Sequence, residues 1–538
     1  MPQNAPSTGT ASLYPDTPVD LICQSSYCTK YSPSFFSTHR LIRSEAWGYD
    51  GVSKQISQVN FAHFFSSPPS GESAKLALFA VQPVGAPGAS QLVAPAAAFG
   101  YTAMANRPGF ATGTAGAMSY ARLTEIYSET GGKTVIGYGQ PSGCAPIPAA
   151  NWDTQTKDCF PQYWDPPGTT PPGWAAFNKY LTVAVQEQDL VGGSPAVVTA
   201  YAYAPAPLDG NLVTIAHPGA AWAKPQSWVA AAGTLSWNEY RGYEDVEVVA
   251  YSANPTRTRY RVFRGMNGDP VVGGGTKSMS ITDGDGTSRV DERWLRGTTS
   301  TSWRVVSSSS LERSVTDWGA DVTLNLSPYG VARRLSVRET RDTSTESTTK
   351  VSRDRFEYDP ANGNLLRHWM DGDVSSASDD SCQELTYTNA GGRFASGLVA
   401  TETTKPACVA GAVVAARSRT MYDGDLTGTA VPSKGLTTRT SIDTGVVGTA
   451  APSYSLNTTT AYDSWGRVTS VSEPATCATT LAYTPASSTM PEVMTSMVTT
   501  NSKGHAPTVT YSTAGLDVAA SDAVDDGRRE RCGRVDGV

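Results

Sequence analysis

The stretch Tyr462-Asp463-Ser464-Trp465-Gly466-Arg467-Val468-Thr469-Ser470-Val471 reads as the turn and return strand of a β-hairpin. Its second half alternates apolar and hydroxyl side chains, the period of a strand with one buried face and one wet face. Gly466 supplies the positive φ of a tight polar turn. The pattern recurs. Tyr358-Asp359-Pro360-Ala361-Asn362-Gly363-Asn364-Leu365 keeps the Tyr-Asp start and sets Gly363 five positions after the Tyr. Tyr422-Asp423-Gly424-Asp425-Leu426 keeps the opening, and Tyr387-Thr388-Asn389-Ala390-Gly391-Gly392-Arg393 keeps the turn. Tyr483-Thr484-Pro485 and Tyr511-Ser512-Thr513-Ala514-Gly515-Leu516 are weaker copies, and the successive tyrosines stand 29, 35, 40, 21 and 28 residues apart. One such hairpin cannot bury its own apolar face. Stacked copies can, which predicts an all-β fold: one long, curved antiparallel sheet with a stripe of tyrosines and little or no helix.

The rest of the chain agrees with that period. Leu181, Val183 and Val185 alternate with polar or small residues, Val197–Tyr203 is β-branched and aromatic, and Tyr260–Phe263, Val322–Leu326 and Leu335–Arg338 repeat the alternation. No stretch sustains apolar residues at helical spacing over ten positions. Gly131-Gly132, Asp209-Gly210-Asn211, Gly265-Met266-Asn267-Gly268 and Gly273-Gly274-Gly275 punctuate the strands as turns. Composition divides the chain into four zones: residues 1–175, Pro/Ala/Gly-rich and irregular; 176–340, longer hairpin-linked strands; 341–520, the degenerate repeat; and 521–538, a polar tail.

The chain has 538 residues, 17% of them charged, with a formal net charge of −7. That acidic balance argues against a nucleic-acid binder, which needs a basic surface to displace counterions. No apolar run approaches the ~20 residues of a membrane-spanning helix. Met1-Pro2-Gln3-Asn4-Ala5-Pro6-Ser7 has neither the positive nor the apolar region of a secretory signal, so the chain is either cytoplasmic or a piece of a larger exported protein. Eight cysteines bear on this choice. Nearest-neighbour pairing joins Cys23 to Cys28, Cys144 to Cys159 and Cys382 to Cys408, as suits an exported, loop-rich β protein; eight reduced thiols is the alternative that spacing leaves open. No Cys-x-x-Cys occurs to support structural zinc or thioredoxin-like redox chemistry.

The unit Tyr-Asp-x-x-Gly-Arg-Val-Thr resembles the YD repeat of RHS-repeat proteins, large bacterial surface and toxin proteins. The resemblance extends upstream to the actinobacterial type: Asp20-Leu21-Ile22-Cys23 with Cys28, Ser34-Phe35-Phe36, Glu129-Thr130-Gly131-Gly132, Cys159-Phe160-Pro161, and Arg264-Gly265-Met266-Asn267-Gly268-Asp269. It covers roughly residues 17–520. It implies a β-ribbon wound into a hollow shell, secreted or at the cell surface, enclosing a C-terminal effector set off by a self-cleaving Asp-Pro-x-Gly core. Here no such motif follows Tyr511, and the chain ends in Gly527-Arg528-Arg529-Glu530-Arg531-Cys532-Gly533-Arg534. The expectation is therefore an incomplete shell segment whose effector cargo is encoded elsewhere, downstream.

Catalytic patterns are sparse. His39, His63, His217, His368 and His505 form no metal-binding pair in sequence, and no G-x-S-x-G elbow marks a nucleophile. Asp283-Gly284-Asp285-Gly286 begins like a calcium loop, but Ser288 stands where that loop requires Gly and Trp294 where it requires Glu. Asp371-Gly372-Asp373 and Asp423-Gly424-Asp425 read as hairpin turns. The expectation is a non-enzymatic protein with no cofactor and no metal. The alternative is a surface module that stacks wall carbohydrate on Trp222, Trp228 and Trp237.

Overall fold

The computed structural model describes residues 8–17, 19, 39–49, 52–66, 74–88, 91–111, 116–164, 172–205, 219–225, 235–252, 255–307, 310–325, 331–345, 348–388, 397–428, 430–445, 452–473, 478–484, 496–506, 508–511 and 519–522. Among these the only helical elements are short 3-10 turns, such as Thr8–Leu13 and Arg293–Leu295. None is long and apolar enough to cross a membrane, which says nothing of spanning by strands. The fold class is all-β, as the hairpin period predicts.

Among the described residues twenty-five strands form one sheet, from Arg43–Tyr49 to Ala519–Asp522. Each sheet strand pairs antiparallel with the next sheet strand in the sequence, so the sheet is a single meander without a crossover. At about 4.8 Å per strand the wall runs for about 115 Å along its hydrogen bonds, a length at which open sheets curl rather than stay flat. Residues 1–175 look irregular by composition, yet six strands of the sheet lie between Arg43 and Gly139. Their alanines and glycines hide them: Ala97–Ala105 and Gly132–Gly139 are held by backbone pairing, which needs no β-branched side chain.

Three excursions leave the meander and gather on it. Between Gly132–Gly139 and Leu181–Asp189 the chain makes the two-stranded ribbon Cys159–Trp164 with Gly173–Asn178. Between Val197–Tyr203 and Asp245–Tyr251 it pairs Ala221–Ala223 with Glu239–Gly242, and between Thr256–Val262 and Thr299–Ser307 it pairs Ser280–Thr282 with Ser288–Val290. The apolar cores sit here. Leu181, Ala220, Trp222 and Tyr243 form one cluster; Phe263, Ile281 and Leu295 form another. Elsewhere the wall is one layer thick, and most of its side chains are only half buried.

Candidate functional site

Five tyrosines that define the repeat each lie at or next to the end of every second strand: Tyr358, Tyr387, Tyr422, Tyr462 and Tyr483. The strand registers bring all five to one face of the sheet. A β-bulge with the following strand falls immediately before Tyr358, Tyr387, Tyr422 and Tyr462. A bulge sharpens the local twist and re-aims the side chain. In three of these tyrosines, and in Tyr483, which has no bulge, the ring lies back over the preceding strand, where the hydroxyl donates to a main-chain carbonyl near that strand's start. The bonds are Tyr387 to Leu365 (2.7 Å), Tyr422 to Val399 (2.9 Å), Tyr462 to Thr437 (2.8 Å) and Tyr483 to Val468 (2.7 Å). Tyr358 keeps the bulge, but its ring lies under the Arg338 guanidinium at 5.6 Å. Tyr511 ends the strand Thr508–Tyr511, and its side chain lies outside the described residues.

The same device operates upstream, where no Tyr-Asp pair announces it. Tyr101 donates to Leu78 (2.7 Å) and Tyr138 to Leu123 (2.9 Å), both directly after a bulge, and Tyr203 donates to Thr182 (2.8 Å) without one. The usable sequence signal is the Gly-Tyr pair, Gly100-Tyr101 and Gly137-Tyr138, since glycine marks the bulge.

The aspartates close the turns. The Asp463 carboxylate accepts from the N–H of Trp465 and Arg467 (both 2.9 Å) and from Arg467 Nε (2.6 Å), while Gly466 at φ +80° donates to the Asp463 carbonyl. Arg467 also covers the ring of the next tyrosine, Tyr483, at 4.4 Å, so it ties one hairpin to its neighbour. Asp283-x-x-Gly286-Thr287, Asn501-x-x-Gly504-His505 and Ser128-x-x-Gly131-Gly132 make the same five-residue turn. The calcium-like start at Asp283 is thus a hairpin turn whose carboxylate is filled by the N–H of Asp285 and Thr287 and by Arg289. Asp359 accepts from Ala361 N–H and Asn362 Nδ2, with Gly363 at φ +84°. Asp423, itself at φ +55°, accepts from the N–H of Ser433, Lys434, Gly435 and Leu436 at 2.6–3.1 Å. Partial burial opposes ionisation there, yet these donors hold its carboxyl down at about 2.

The two faces of the repeat region differ in chemistry. The tyrosine face carries mostly Ser, Thr and neutral groups, with Asp354, His368 and Glu402 among them and with Ile442 and Leu456 paired and exposed. The opposite face carries a ladder of ion pairs: Arg353 and Arg355 with Asp371, Arg367 with Glu357 and Glu384, Lys405 with Glu384, and Arg417 with Asp443. The Cys382–Cys408 disulfide begins on this charged face, and Cys144–Cys159 closes the first excursion. Cys23 and Cys28 lie outside the described residues. The only metal-like cluster among the described residues, Cys382, Glu384 and Cys408, offers no thiolate because its sulfurs are joined.

The most buried charges sit where the excursions meet the sheet. Asp245 pairs with Arg261, Glu247 with Arg257 and Arg259, Glu244 with Arg264, and Arg241 with Asp269. Asp291 accepts the N–H groups of Gly265 and Met266, which fixes the Arg264–Asp269 loop. Burial pushes the Glu244 carboxyl up to about 7 against the pull of Arg264. Asp158 is fully buried and accepts from Tyr243 Oη and Ser142 N–H; burial raises its carboxyl. His368 bonds Asp354 at 2.6 Å and stacks on Phe356 at 4.5 Å. Of the tryptophans of the alternative carbohydrate platform, Trp222 and Trp237 are 1% and 5% exposed, Trp222 within an apolar cluster, and Trp228 lies outside the described residues.

No known family model matches the chain, and no curated protein matches it. Solved structures do. The crystal structure of TcdB2-TccC3-TEV aligns over 86% of this chain and 27% of its own, at 12% identity and a TM-score of 0.45. That of TcdB2-TccC3 aligns over 87% and 30%, at 12% identity and a TM-score of 0.41. A Photorhabdus luminescens Tc holotoxin pore with a substitution in TccC3 aligns over 88% and 29%, at 12% identity and a TM-score of 0.44. The chain spans less than a third of the length of these solved chains.

Proposed function

We propose that this chain is a non-catalytic wall segment of an exported, RHS-type bacterial shell, which encloses or delivers a polypeptide effector rather than performing chemistry itself. The observation that carries the reading is the unbroken course of the sheet: twenty-five strands in sequence order, with tyrosine hydroxyls locking strand to strand along it. A single-layer wall of that length spends its residues on extent, not on a deep core, which suits a surface that surrounds something. Different chemistry on its two faces suits a wall with an inside and an outside. Paired cysteines suit an oxidising compartment outside the cytoplasm. Carbohydrate stacking loses its support with the burial of Trp222 and Trp237.

Limited proteolysis of the protein isolated from its host tests this, together with any polypeptide continuous with it or bound to it. The reading expects a fragment that stays protected until the wall is denatured. A wall that resists protease while shielding nothing would overturn enclosure and leave only the fold.

A further inference from the structure

Among the described residues the sheet has two open edges, the strands Arg43–Tyr49 and Ala519–Asp522, each paired on one side only. A row of unpaired N–H and C=O groups is a template for another strand, and proteins usually guard it. The Ala519–Asp522 edge is blunted by its length of four residues. The other edge runs seven residues without proline, and Leu41, Ile42 and Trp47 along it are 62%, 59% and 55% exposed. Its one bulge places the extra residue on Ser53–Ser66, so its own alternation is unbroken.

The Ile42 carbonyl oxygen accepts from the Phe61 N–H at 2.9 Å. In an antiparallel ladder that turns the main-chain groups of Ile42, Ser44 and Ala46 toward Ser53–Ser66 and those of Arg43 and Glu45 to the open side. Arg43 and Glu45 also share a face of the sheet: their side chains pair with each other, and Trp47 Nε1 donates to Glu45 at 2.9 Å. The edge thus presents one cation and one anion, two residues apart, beside outward-turned backbone.

We propose that this edge binds a second copy of itself, antiparallel, across a two-fold axis normal to the sheet at Ser44. Such an axis sets odd positions against odd and even against even, and one register alone joins opposite charges. With Ser44 facing Ser44 of the second copy, each Arg43 faces a Glu45, each Ile42 an Ala46 and each Leu41 a Trp47. A shift of two residues either way sets Arg43 against Arg43 or Glu45 against Glu45. In the favoured register Arg43 and Glu45 exchange main-chain hydrogen bonds, and four charges alternate in sign around the axis. The pairing does not depend on what the wall encloses.

Sedimentation of the full chain over a range of concentrations tests it. Wild type should be a dimer that dissociates on dilution, at about micromolar concentration for so small a contact. Arg43→Glu and Glu45→Lys should each weaken self-association at least about tenfold by setting like charges opposite one another. Mixed, the two variants should pair again, since the acidic edge of one matches the basic edge of the other; mixing would not rescue a folding defect. Glu45→Pro removes an outward N–H, leaves the ladder to Ser53–Ser66 intact, and should also give a monomer. A chain monomeric at every concentration, a dimer indifferent to these variants, or charge variants that stay apart when mixed would overturn the proposal. Assemblies that grow past a dimer would do the same, because they require head-to-tail pairing with the Ala519–Asp522 edge.

Discussion

The hydroxyl of Tyr462 donates to the carbonyl oxygen of Thr437 at 2.8 Å, across a strand boundary twenty-five residues apart in sequence. A bulge falls between Ala461 and Tyr462, and the ring lies over the preceding strand, the position that Tyr483 and Tyr203 reach without one. Every such bond fastens two neighbouring strands at the end where the hairpin turn begins, so the stripe acts as a row of clasps along one rim of the wall.

Replacing Tyr462 by Phe should therefore destabilise the sheet by about 1 kcal/mol, the net worth of one hydrogen bond, with little loss of apolar contact. Tyr387→Phe, Tyr422→Phe and Tyr462→Phe together should cost about 3 kcal/mol, since the three clasps share no partner and their effects add. Urea unfolding of the single and triple variants measures this; a triple variant as stable as wild type would show that the hydroxyls do not clasp.

Asp423 gives an acid-side prediction. Its carboxyl titrates at about 2 in the fold against 3.8 as a free group, so its stabilising contribution is full above about pH 4 and is lost as pH falls through about 2. Asp423→Ala should cost about 2 kcal/mol at neutral pH by stripping four N–H groups of their acceptor, and the cost should shrink toward pH 2. Unfolding midpoints of the two proteins between pH 2 and 7 decide it; a pH-independent difference would contradict the charged nest.

Glu244 has the opposite sign. Its carboxyl sits near 7 in the fold and near 4.5 when free, so between those values the folded chain binds the extra proton, and stability from this group falls as pH rises from 4.5 to 7. The fall is at most about 3 kcal/mol. Glu244→Gln should flatten that slope, which a comparison of denaturant midpoints across this pH range would reveal; parallel slopes would refute the assignment.

Reducing the protein should matter too. Cys144–Cys159 closes a loop fifteen residues long, for which loop-closure entropy gives about 3 kcal/mol. Cys144→Ala with Cys159→Ala should lower the unfolding midpoint accordingly, and mass spectrometry should find both pairs oxidised in protein recovered from the host. Free thiols at these positions in the native protein would contradict an exported wall.

Much of the fold was legible because a strand's period and a hairpin's glycine are local properties. Gly363 and Gly466 take the positive φ that their turns announce, and Tyr-Asp marks hairpins in which both residues have work to do. The strands at Ala97–Ala105 and Gly132–Gly139 were not legible, since backbone pairing leaves little trace in small side chains. Tyr101 and Tyr138 escaped for a related reason: the carbonyls they reach depend on strand pairing, and no aspartate follows to flag them. Nor does any sequence rule bring Lys277 beside Asp153, 124 residues earlier; only the convergence of the excursions does that. The three tryptophans suit either a stacking platform or a core, and aromatic side chains are more often buried. Three close in sequence suggest a platform, yet Trp222 spends its indole N–H on the Lys157 carbonyl and its rings on Phe160 and Tyr240.

Pulsed electron spin resonance on labels at Ser53 and Lys350 tests the enclosing wall most directly. The two positions lie on strands separated by twelve strand steps in the sheet, about 58 Å along a flat wall at the usual strand spacing. A single, narrow distance clearly shorter than that is the result expected of one continuous sheet bent around an interior. A distance at the flat-sheet value, or a broad spread from pieces that move independently, would contradict it.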